Sequence, residues 1–214
     1  MARASEFVAV AAGQIGVRES PAGSNNVRYN TWYYGHEVSG NGYPWCMVFV
    51  QWCADQAKVK LPTRTASCGA LMRAAQAAGQ WVEKDFLPGD IVIFDFPGGA
   101  KTDHCGVVES VSGANAATIE GNTGSTSDSD GGQVQRRSRP LTQIVGAVRV
   151  KFDPEKEEKP VEKRYNTLAE CPGWARDTVE KLMEDGALNG DGTGLDLSHD
   201  MVRLLVILNR AGAF

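Results

Sequence analysis

Residues 42–55 read G-Y-P-W-C-M-V-F-V-Q-W-C-A-D, and the rest of the chain is best understood by working outward from this stretch. Pro44 disfavours a helical conformation for the residue before it, and an apolar run follows from Cys46. A helix that begins at or just after Cys46 places its sulfur among the unpaired N–H groups of the first turn, where a thiolate is stabilised. Because a thiolate is a nucleophile at neutral pH, we expect the remainder of residues 1–150 to orient a base towards Cys46.

The composition is typical of a folded globular protein and not of a disordered one. Hydrophobic residues make up 42% and charged residues 22% of the 214 positions. Residues 1–150 contain 13 basic and 13 acidic side chains, whereas residues 151–214 contain 9 and 13. A short basic cluster at residues 136–139 lacks the extended basic surface with which proteins neutralise phosphates, so we expect no nucleic-acid partner.

The cysteines do not form a recognisable framework. They number five, with no C-x-x-C pair, so the sequence predicts neither a disulfide scaffold nor a zinc ribbon, and we expect no metal and no cofactor. Cys68 also precedes an alanine-rich helical segment and is a rival nucleophile, which we rank below Cys46. Cys53 shares the helix of Cys46 one heptad further on and is expected to be a buried, inert thiol.

The N-terminal segment does not have the pattern of a signal peptide. Its apolar run, F-V-A-V-A-A at residues 7–12, follows Glu6 and ends before Gln14, and Arg3 is the sole candidate for a basic n-region. No apolar run approaches the ~18 residues of a membrane span. We therefore expect synthesis without a signal peptide and no membrane insertion.

The order of the predicted elements indicates an α+β fold. Residue spacing predicts helices over residues 6–16, 46–59 and 69–78, with irregular structure over residues 20–43. Strands are predicted over residues 91–96, 104–111, 116–120, 133–139 and 144–150. Helices followed by neighbouring strands are typical of helices packed on an antiparallel sheet.

A charged segment divides the chain. Residues 151–164 contain two prolines and almost no apolar side chains, which predicts a linker between a catalytic domain at residues 1–150 and a small helical module at residues 165–214. Helices are predicted in the module over residues 174–184 and 198–210. Because about 50 residues rarely form a stable core alone, we expect the module to dock on the first domain or on a second copy.

A histidine, an acid and an amide are predicted to share one face of a hairpin. If a three-residue loop at residues 112–114 joins the two strands, His104 faces Asn122 directly and Glu120 diagonally. A histidine held in this way is an oriented base whose second ring nitrogen is free to face a thiol. The alternative is an ordinary histidine of the sheet beside two turn residues. The helix-start cysteine favours the catalytic interpretation.

Four short motifs occur in order within residues 5–150. They are Pro44-Trp45-Cys46 followed by Phe49, Trp52 and Cys53; Leu87-Pro88-Gly89-Asp90; Asp103-His104-Cys105-Gly106-Val107-Val108; and Ile119-Glu120-Gly121-Asn122-Thr123. Together they closely resemble the CHAP family of cysteine- and histidine-dependent amidohydrolases/peptidases. The resemblance implies a papain-like fold with Cys46 as nucleophile, His104 as general base and Glu120 orienting the histidine. Asn122 corresponds to the family's polar fourth position.

The same resemblance implies a peptidoglycan hydrolase of the phage endolysin type, a bacteriolytic enzyme that acts as an N-acetylmuramoyl-L-alanine amidase or as a peptidoglycan endopeptidase. Bacterial peptidoglycan is then the partner, and the protein is made in the host cytoplasm and acts on the cell wall. Trp45, Tyr43 and Trp32 are expected to line the substrate groove, although aromatic residues of this region cover a core equally often. Residues 40–45 lack the acidic side chains of the calcium loop that some CHAP domains carry, so no calcium is expected.

Two other functions remain open, namely a cysteine amidase or peptidase toxin with another substrate, and a noncatalytic wall-binding protein with a structural thiol. The C-terminal module resembles those of some phage lysins and, more loosely, S-layer homology repeats, which implies wall binding or homo-oligomerisation. Its Asp191-Gly192-Thr193-Gly194 segment lacks the spacing of an EF-hand and is interpreted as a turn.

Overall fold

The chain divides into two compact units. A computed structural model describes residues 2–97, 102–125, 127–155 and 163–214. The units are Met1–Glu155 and Lys156–Phe214. Residues 156–162, half of the predicted linker, lie outside the described residues. The first unit continues beyond Val150, because Phe152 stacks on Phe7 with ring centroids 6.1 Å apart and Glu155 accepts a hydrogen bond from the Ser5 backbone at 2.8 Å.

The first unit is an antiparallel sheet with helices, so the predicted α+β class is confirmed. The helices are α1 (Ala4–Ala12), α2 (Arg28–Tyr34), α3 (Cys46–Gln56) and α4 (Cys68–Ala77). The strands are β1 (Trp81–Val82), β2 (Ile91–Phe94), β3 (His104–Ser112), β4 (Asn115–Thr123), β5 (Gln133–Pro140) and β6 (Ile144–Val148), arranged in the order β1-β6-β2-β3-β4-β5.

The sheet separates two cores. Ile93, Cys105 and Val107 lie on the face that packs against the helices, in a cluster that includes Phe7 of α1 and Phe49 of α3. The opposite face carries a smaller cluster that includes Val92, Phe94 and Val108. Because side chains alternate along a strand, the neighbours His104 and Cys105 point to opposite faces of the sheet.

Helix α2 corrects the expectation of irregular structure over residues 20–43. It is short, and it ends at Gly35, whose φ of 79° lies in the left-handed region that glycine adopts readily. Tyr29 stabilises it by tertiary packing, since this buried ring lies 5.6 Å from Trp45 and 5.2 Å from Phe49. Such a helix has no long apolar periodicity, so its sequence resembles that of a loop.

The hairpin of β3 and β4 has the predicted alignment at the His104 end but a different turn. Val107 lies opposite Ile119, as the sequence predicts. The predicted three-residue loop is wrong, because Ser112 pairs with Asn115 and leaves a two-residue turn. A register shift between Val108 and Ser110, which is the effect of a β-bulge, compensates for the loop that is one residue shorter than predicted.

The second unit combines helices with a short two-stranded sheet. Strands β7 (Arg164–Tyr165) and β8 (Leu197–Ser198) pair antiparallel, and the helices are α5 (Arg176–Glu184) and α6 (His199–Arg210). The Ser198 hydroxyl caps α6 by accepting a hydrogen bond from the Met201 backbone at 3.1 Å. Tyr165, Val179 and Val202 contribute to its core. None of the described helices of either unit combines the length and apolar character that a membrane span requires.

Candidate active site

Cys46 is the first residue of α3, where the sequence predicts the helix to begin. Its side chain is almost completely buried, with 5% exposed surface, and its sulfur lies at the end of the helix with free N–H groups. Hydrogen bonds from the thiols of Cys105 and Cys68 hold the pKa of Cys46 well below its usual value against the opposing effect of burial, and an interaction with His104 lowers this pKa further. This environment favours the thiolate form of Cys46.

His104 is the first residue of β3 and is completely buried. Its ring packs against Phe94 and Phe96, with both centroids 6.0 Å away. Nε2 hydrogen-bonds with Glu120 at 3.1 Å, whereas Nδ1 has no hydrogen-bond partner within the described residues. Nδ1 is thus the nitrogen available to Cys46. Burial opposes protonation, but the interactions with Cys46 and Glu120 outweigh it and raise the pKa of His104 to about 9.

Glu120 is a buried carboxylate, and both of its oxygens accept hydrogen bonds. Oε1 accepts hydrogen bonds from the Thr118 hydroxyl at 2.6 Å and from Arg139 Nε at 2.9 Å. Oε2 accepts a hydrogen bond from Arg139 Nη2 at 2.6 Å and is the atom that contacts His104. Burial favours the neutral acid, but Arg139 and His104 overcome this and lower the pKa of Glu120 to about 2. Glu120 is therefore an anion that fixes the orientation of the imidazole.

Arg139 completes this network and was not recognised from the sequence. Its guanidinium is 4% exposed, binds Glu120 in bidentate fashion and also donates to Asp128 at 2.8 Å. It lies over the Phe96 ring at 4.8 Å. The β4–β5 register, which the sequence alone does not give, pairs Arg139 with Ala116 and so puts it on the face of the sheet that carries Glu120.

Asn122 lies in the same strand but faces another partner. Its Nδ2 donates to Asp130 at 3.3 Å, and its Oδ1 accepts a hydrogen bond from the Gly132 backbone at 3.3 Å. A φ of 56° and a register shift between Glu120 and Thr123 turn this part of the strand. No contact among the described residues joins Asn122 to His104, and Glu120 holds the imidazole instead.

Comparison with known proteins identifies this arrangement. A family model described as CHAP domain matches residues 38–122, a segment that includes Cys46, His104 and Glu120. Residues 38–122 are therefore similar to a CHAP domain. The α+β fold described above is consistent with that of a papain-like CHAP domain.

Solved structures similar to this chain include two of Ly7917, one of them with the hydrolyzing product of MDP. The first is 17% identical with a TM-score of 0.43 and covers 69% of this chain and 62% of its own. The second is 15% identical with a TM-score of 0.41 and covers 77% of this chain and 66% of its own. The chain therefore spans just under two thirds of the length of these neighbours. No match was found among curated proteins.

The three aromatic residues expected in a substrate groove differ in how deeply the first unit buries them. Trp45 has no exposed surface and stacks on Tyr29, so the expectation that it lines a groove does not fit its position in the core. Tyr43 is half-buried and packs edge-on against Tyr34 at 5.2 Å. Trp32 is half-buried and lines a surface depression that also includes Arg28 and Glu37. Tyr43 and Trp32 thus retain exposed surface for a ligand.

Two glycines of the CHAP motifs make room for the site. A Cβ at Gly106 would lie 2.7 Å from Cγ of Glu120, so only a glycine allows the carboxylate to approach β3 this closely. A Cβ at Gly121 would lie 2.6 Å from Cβ of Phe49 in α3. The first glycine therefore sets the position of Glu120, and the second sets the distance between the strand and the helix that carries Cys46.

Proposed function

We propose that this protein is a peptidoglycan hydrolase that cleaves an amide bond of the bacterial cell-wall peptide by nucleophilic catalysis at Cys46. The observation that carries the proposal is the convergence of a buried thiol, an imidazole and a carboxylate within a segment similar to a CHAP domain. Cys46 and His104 perturb each other's pKa in opposite directions, which favours the ion pair that a cysteine nucleophile needs.

In the first step, the Cys46 sulfur attacks the amide carbonyl and forms a tetrahedral intermediate. The backbone N–H of Cys46 belongs to the first turn of α3, which has no intrahelical acceptor for it, and it donates a hydrogen bond to the oxyanion in this mechanism. His104 then gives its proton to the leaving amine, the C–N bond breaks, and a thioester to Cys46 remains.

In the second step, water hydrolyses the thioester. Neutral His104 takes a proton from the water, the hydroxide adds to the thioester carbonyl, and the Cys46 thiolate leaves as a carboxylate product is released. Glu120 acts through His104 as a positioning residue, because it touches the imidazole and not the reacting atoms.

The bond is either the N-acetylmuramoyl-L-alanine amide or a bond within the wall peptide, and both fit the same chemistry. A phage endolysin that is made in the host cytoplasm and acts on the wall is the biological role we favour. The C-terminal module is proposed to target the wall or to associate with a second copy, since its α6 exposes Leu204 and Ile207.

Digestion of purified peptidoglycan, followed by mass spectrometry of the released muropeptides, tests the proposal. We expect the wild type to release fragments and Cys46→Ala to release none, while Cys53→Ala, which removes a second buried thiol from the same helix, stays active. New N-terminal amines within the peptide identify an endopeptidase, and free lactyl groups on muramate identify an amidase. An intact wall after treatment with the wild type, or full activity of Cys46→Ala, would contradict the proposal.

The other two functions make different predictions in the same assay. A toxin that acts on proteins would cleave folded protein substrates and leave the wall intact. A noncatalytic wall-binding protein would sediment with the wall equally well as wild type and as Cys46→Ala, without releasing fragments from it.

A further inference from the structure

Three cysteines from distant parts of the sequence meet beside the nucleophile. The sulfurs of Cys46, Cys68 and Cys105 all lie within 4.8 Å of one another, and those of Cys46 and Cys68 are 4.0 Å apart. All three side chains are buried and none forms a disulfide. The nucleophilic mechanism needs one of these sulfurs, so the other two call for a separate explanation.

Each sulfur is held by a different element. Cys46 begins α3, Cys68 begins α4, and Cys105 lies on β3 next to His104. The Ser67 hydroxyl caps α4 by accepting a hydrogen bond from the Ala70 backbone at 3.3 Å. Because two helix ends and a central strand fix their positions, the sulfurs are preorganised and do not converge by chance rotation of surface side chains.

We propose that Cys46, Cys68 and Cys105 form a binding site for a soft divalent metal ion such as zinc, and that an ion bound there blocks the nucleophile. Metal binding stands on the sulfur geometry alone. The block of hydrolysis rests in addition on the proposed function of Cys46.

The distances fit such an ion. Zinc binds thiolates at about 2.3 Å in tetrahedral geometry, which places ligand sulfurs about 3.8 Å apart. The separation of 4.0 Å between Cys46 and Cys68 is close to this value, and no pair exceeds 4.8 Å. Side-chain shifts of about 1 Å or less therefore close the site, and soft thiolate ligands select ions of the zinc and cadmium type over magnesium or calcium.

The three sulfurs are the ligand atoms that the described residues bring within 4.8 Å of one another, which leaves the fourth tetrahedral position to water or to a neighbouring side chain that moves. Nδ1 of His104, which is buried and has no hydrogen-bond partner within the described residues, is a candidate for that position. A neutral imidazole nitrogen is an ordinary zinc ligand, and the contact of Nε2 with Glu120 is the type of outer contact that orients a ligating histidine.

Binding changes only the protonation of the ligands. The metal ion forms bonds to the three sulfurs, and each sulfur that carries a proton releases it to solvent, with no change in oxidation state. Since protons compete with the metal, the apparent affinity must rise with pH. A sulfur bonded to the metal cannot attack a carbonyl, so occupation of the site and hydrolysis exclude each other.

Titration of the full-length protein with Co²⁺ in the presence of a non-thiol reductant tests the site directly. We expect one ion per chain and a thiolate-to-cobalt charge-transfer absorption, which zinc abolishes by displacement. Competition with a chromophoric chelator then gives the zinc affinity. The absence of the charge-transfer absorption, or a stoichiometry unaffected by loss of the cluster thiols, would overturn the inference.

Serine variants assign the ligands. Cys68→Ser and Cys105→Ser are each expected to weaken zinc binding by about 10²-fold or more and to reduce the charge-transfer intensity by about one third, because one of three thiolates is lost. Cys53→Ser is the matched control, since Cys53 is buried but outside the cluster, and it should bind zinc as the wild type does. Equal weakening in the control would refute the assignment.

A measurement on the wild type alone covers the case in which a variant does not fold. Zinc should slow alkylation of Cys46 by iodoacetamide at least about tenfold, as read by peptide mass spectrometry, and a chelator should reverse the effect. An unchanged rate at saturating zinc would refute the site. If cobalt binds but the protein does not hydrolyse peptidoglycan, the metal site is supported and the proposed function is refuted. If the protein hydrolyses peptidoglycan but zinc neither binds nor inhibits, the proposed function is supported and the metal site is refuted.

Discussion

Nε2 of His104 lies 3.1 Å from Oε2 of Glu120, although neither side chain has any exposed surface. A buried carboxylate is costly unless it is paired, and Arg139 provides the second cation that keeps Glu120 ionised. The imidazole is consequently held through Nε2 by the carboxylate, while Nδ1 has no hydrogen-bond partner within the described residues. The network therefore sets the orientation of the imidazole and helps to raise the pKa of His104.

Replacing Glu120 by glutamine should impair catalysis through His104. Glu120→Gln keeps the size of the side chain but removes the charge that raises the pKa of His104, so kcat/KM should fall by about 10²-fold or more and the alkaline limit of activity should move to lower pH. Kinetics across a pH series measure both effects. The matched control is Glu109→Gln, whose carboxylate pairs with the half-exposed Arg136 at 2.6 Å and should be dispensable. A wild-type pH profile for Glu120→Gln would show that Glu120 does not act on the imidazole.

Loss of Arg139 should reduce both stability and activity. Arg139→Met leaves the buried Glu120 without its bidentate partner, and breaking a buried ion pair costs roughly 3–5 kcal/mol of unfolding free energy. Urea unfolding measures this loss. Arg136→Met on the same strand breaks only an exposed pair and should unfold almost as the wild type does. Equal stability of the two variants would contradict the role assigned to Arg139.

The pH dependence should follow the ion pair. The pKa of His104 is raised to about 9, so the imidazolium and its stabilising contribution are fully present below the ordinary pKa of about 6.5 and are lost as the pH rises through about 9. Glu120, with its pKa lowered to about 2, contributes stability above about pH 4.3 that is lost as the pH falls through about 2.

We expect hydrolysis to decline near pH 9. Alkylation of Cys46 should remain rapid below the ordinary pKa of a thiol and should slow in His104→Ala. An alkaline limit near pH 6.5 would indicate that His104 is not paired.

Replacing Gly106 by alanine should displace the Glu120 carboxylate without changing its chemical nature. In Gly106→Ala the new Cβ would meet Cγ of Glu120 at 2.7 Å, so Glu120 must move away from His104 and kcat should fall by about tenfold or more. Gly42→Ala is the control, because no atom lies within 4 Å of its added Cβ. Activity assays and thermal unfolding of both variants separate a displaced carboxylate from general destabilisation. Full activity of Gly106→Ala would mean that the hairpin relaxes around the methyl group.

The apolar face of α6 provides a test of self-association. Ile207 is 61% exposed and Leu204 is 55% exposed, which is unusual for large apolar side chains that share one helix face. If this face pairs with a second copy, the full chain should sediment as a dimer or larger species and Ile207→Glu should sediment as a monomer. Glu180→Gln, on the exposed side of α5, should not change the sedimentation. A monomeric wild type at all concentrations would leave wall targeting as the role of the module.

Much of the architecture is encoded in local patterns. The start of α3 at Cys46 follows from Pro44 and the apolar run, and the α+β class follows from the order of helical and alternating segments. Helix α2 could not be recognised in this way, because packing of Tyr29 on α3 stabilises it more than its own propensity does. The β3–β4 pairing of Val107 with Ile119 was predicted correctly although the turn was not, since the bulge near Glu109 compensates for the shorter loop.

By itself, the sequence determined most of the helices and strands and the kinds of side chain in the candidate site. These are a thiol at the start of a helix, a histidine at the start of a strand and a nearby carboxylic acid. Tertiary structure decided which groups meet: Arg139 reaches Glu120 from the neighbouring strand β5, and Cys68 and Cys105 join Cys46 from two further elements. Periodicity and capping act over a few residues and can be read along the chain, whereas these contacts depend on strand register and on how the helices pack against the sheet. The pKa shifts of Cys46 and His104 are a property of those contacts, and only the folded chain brings these groups together.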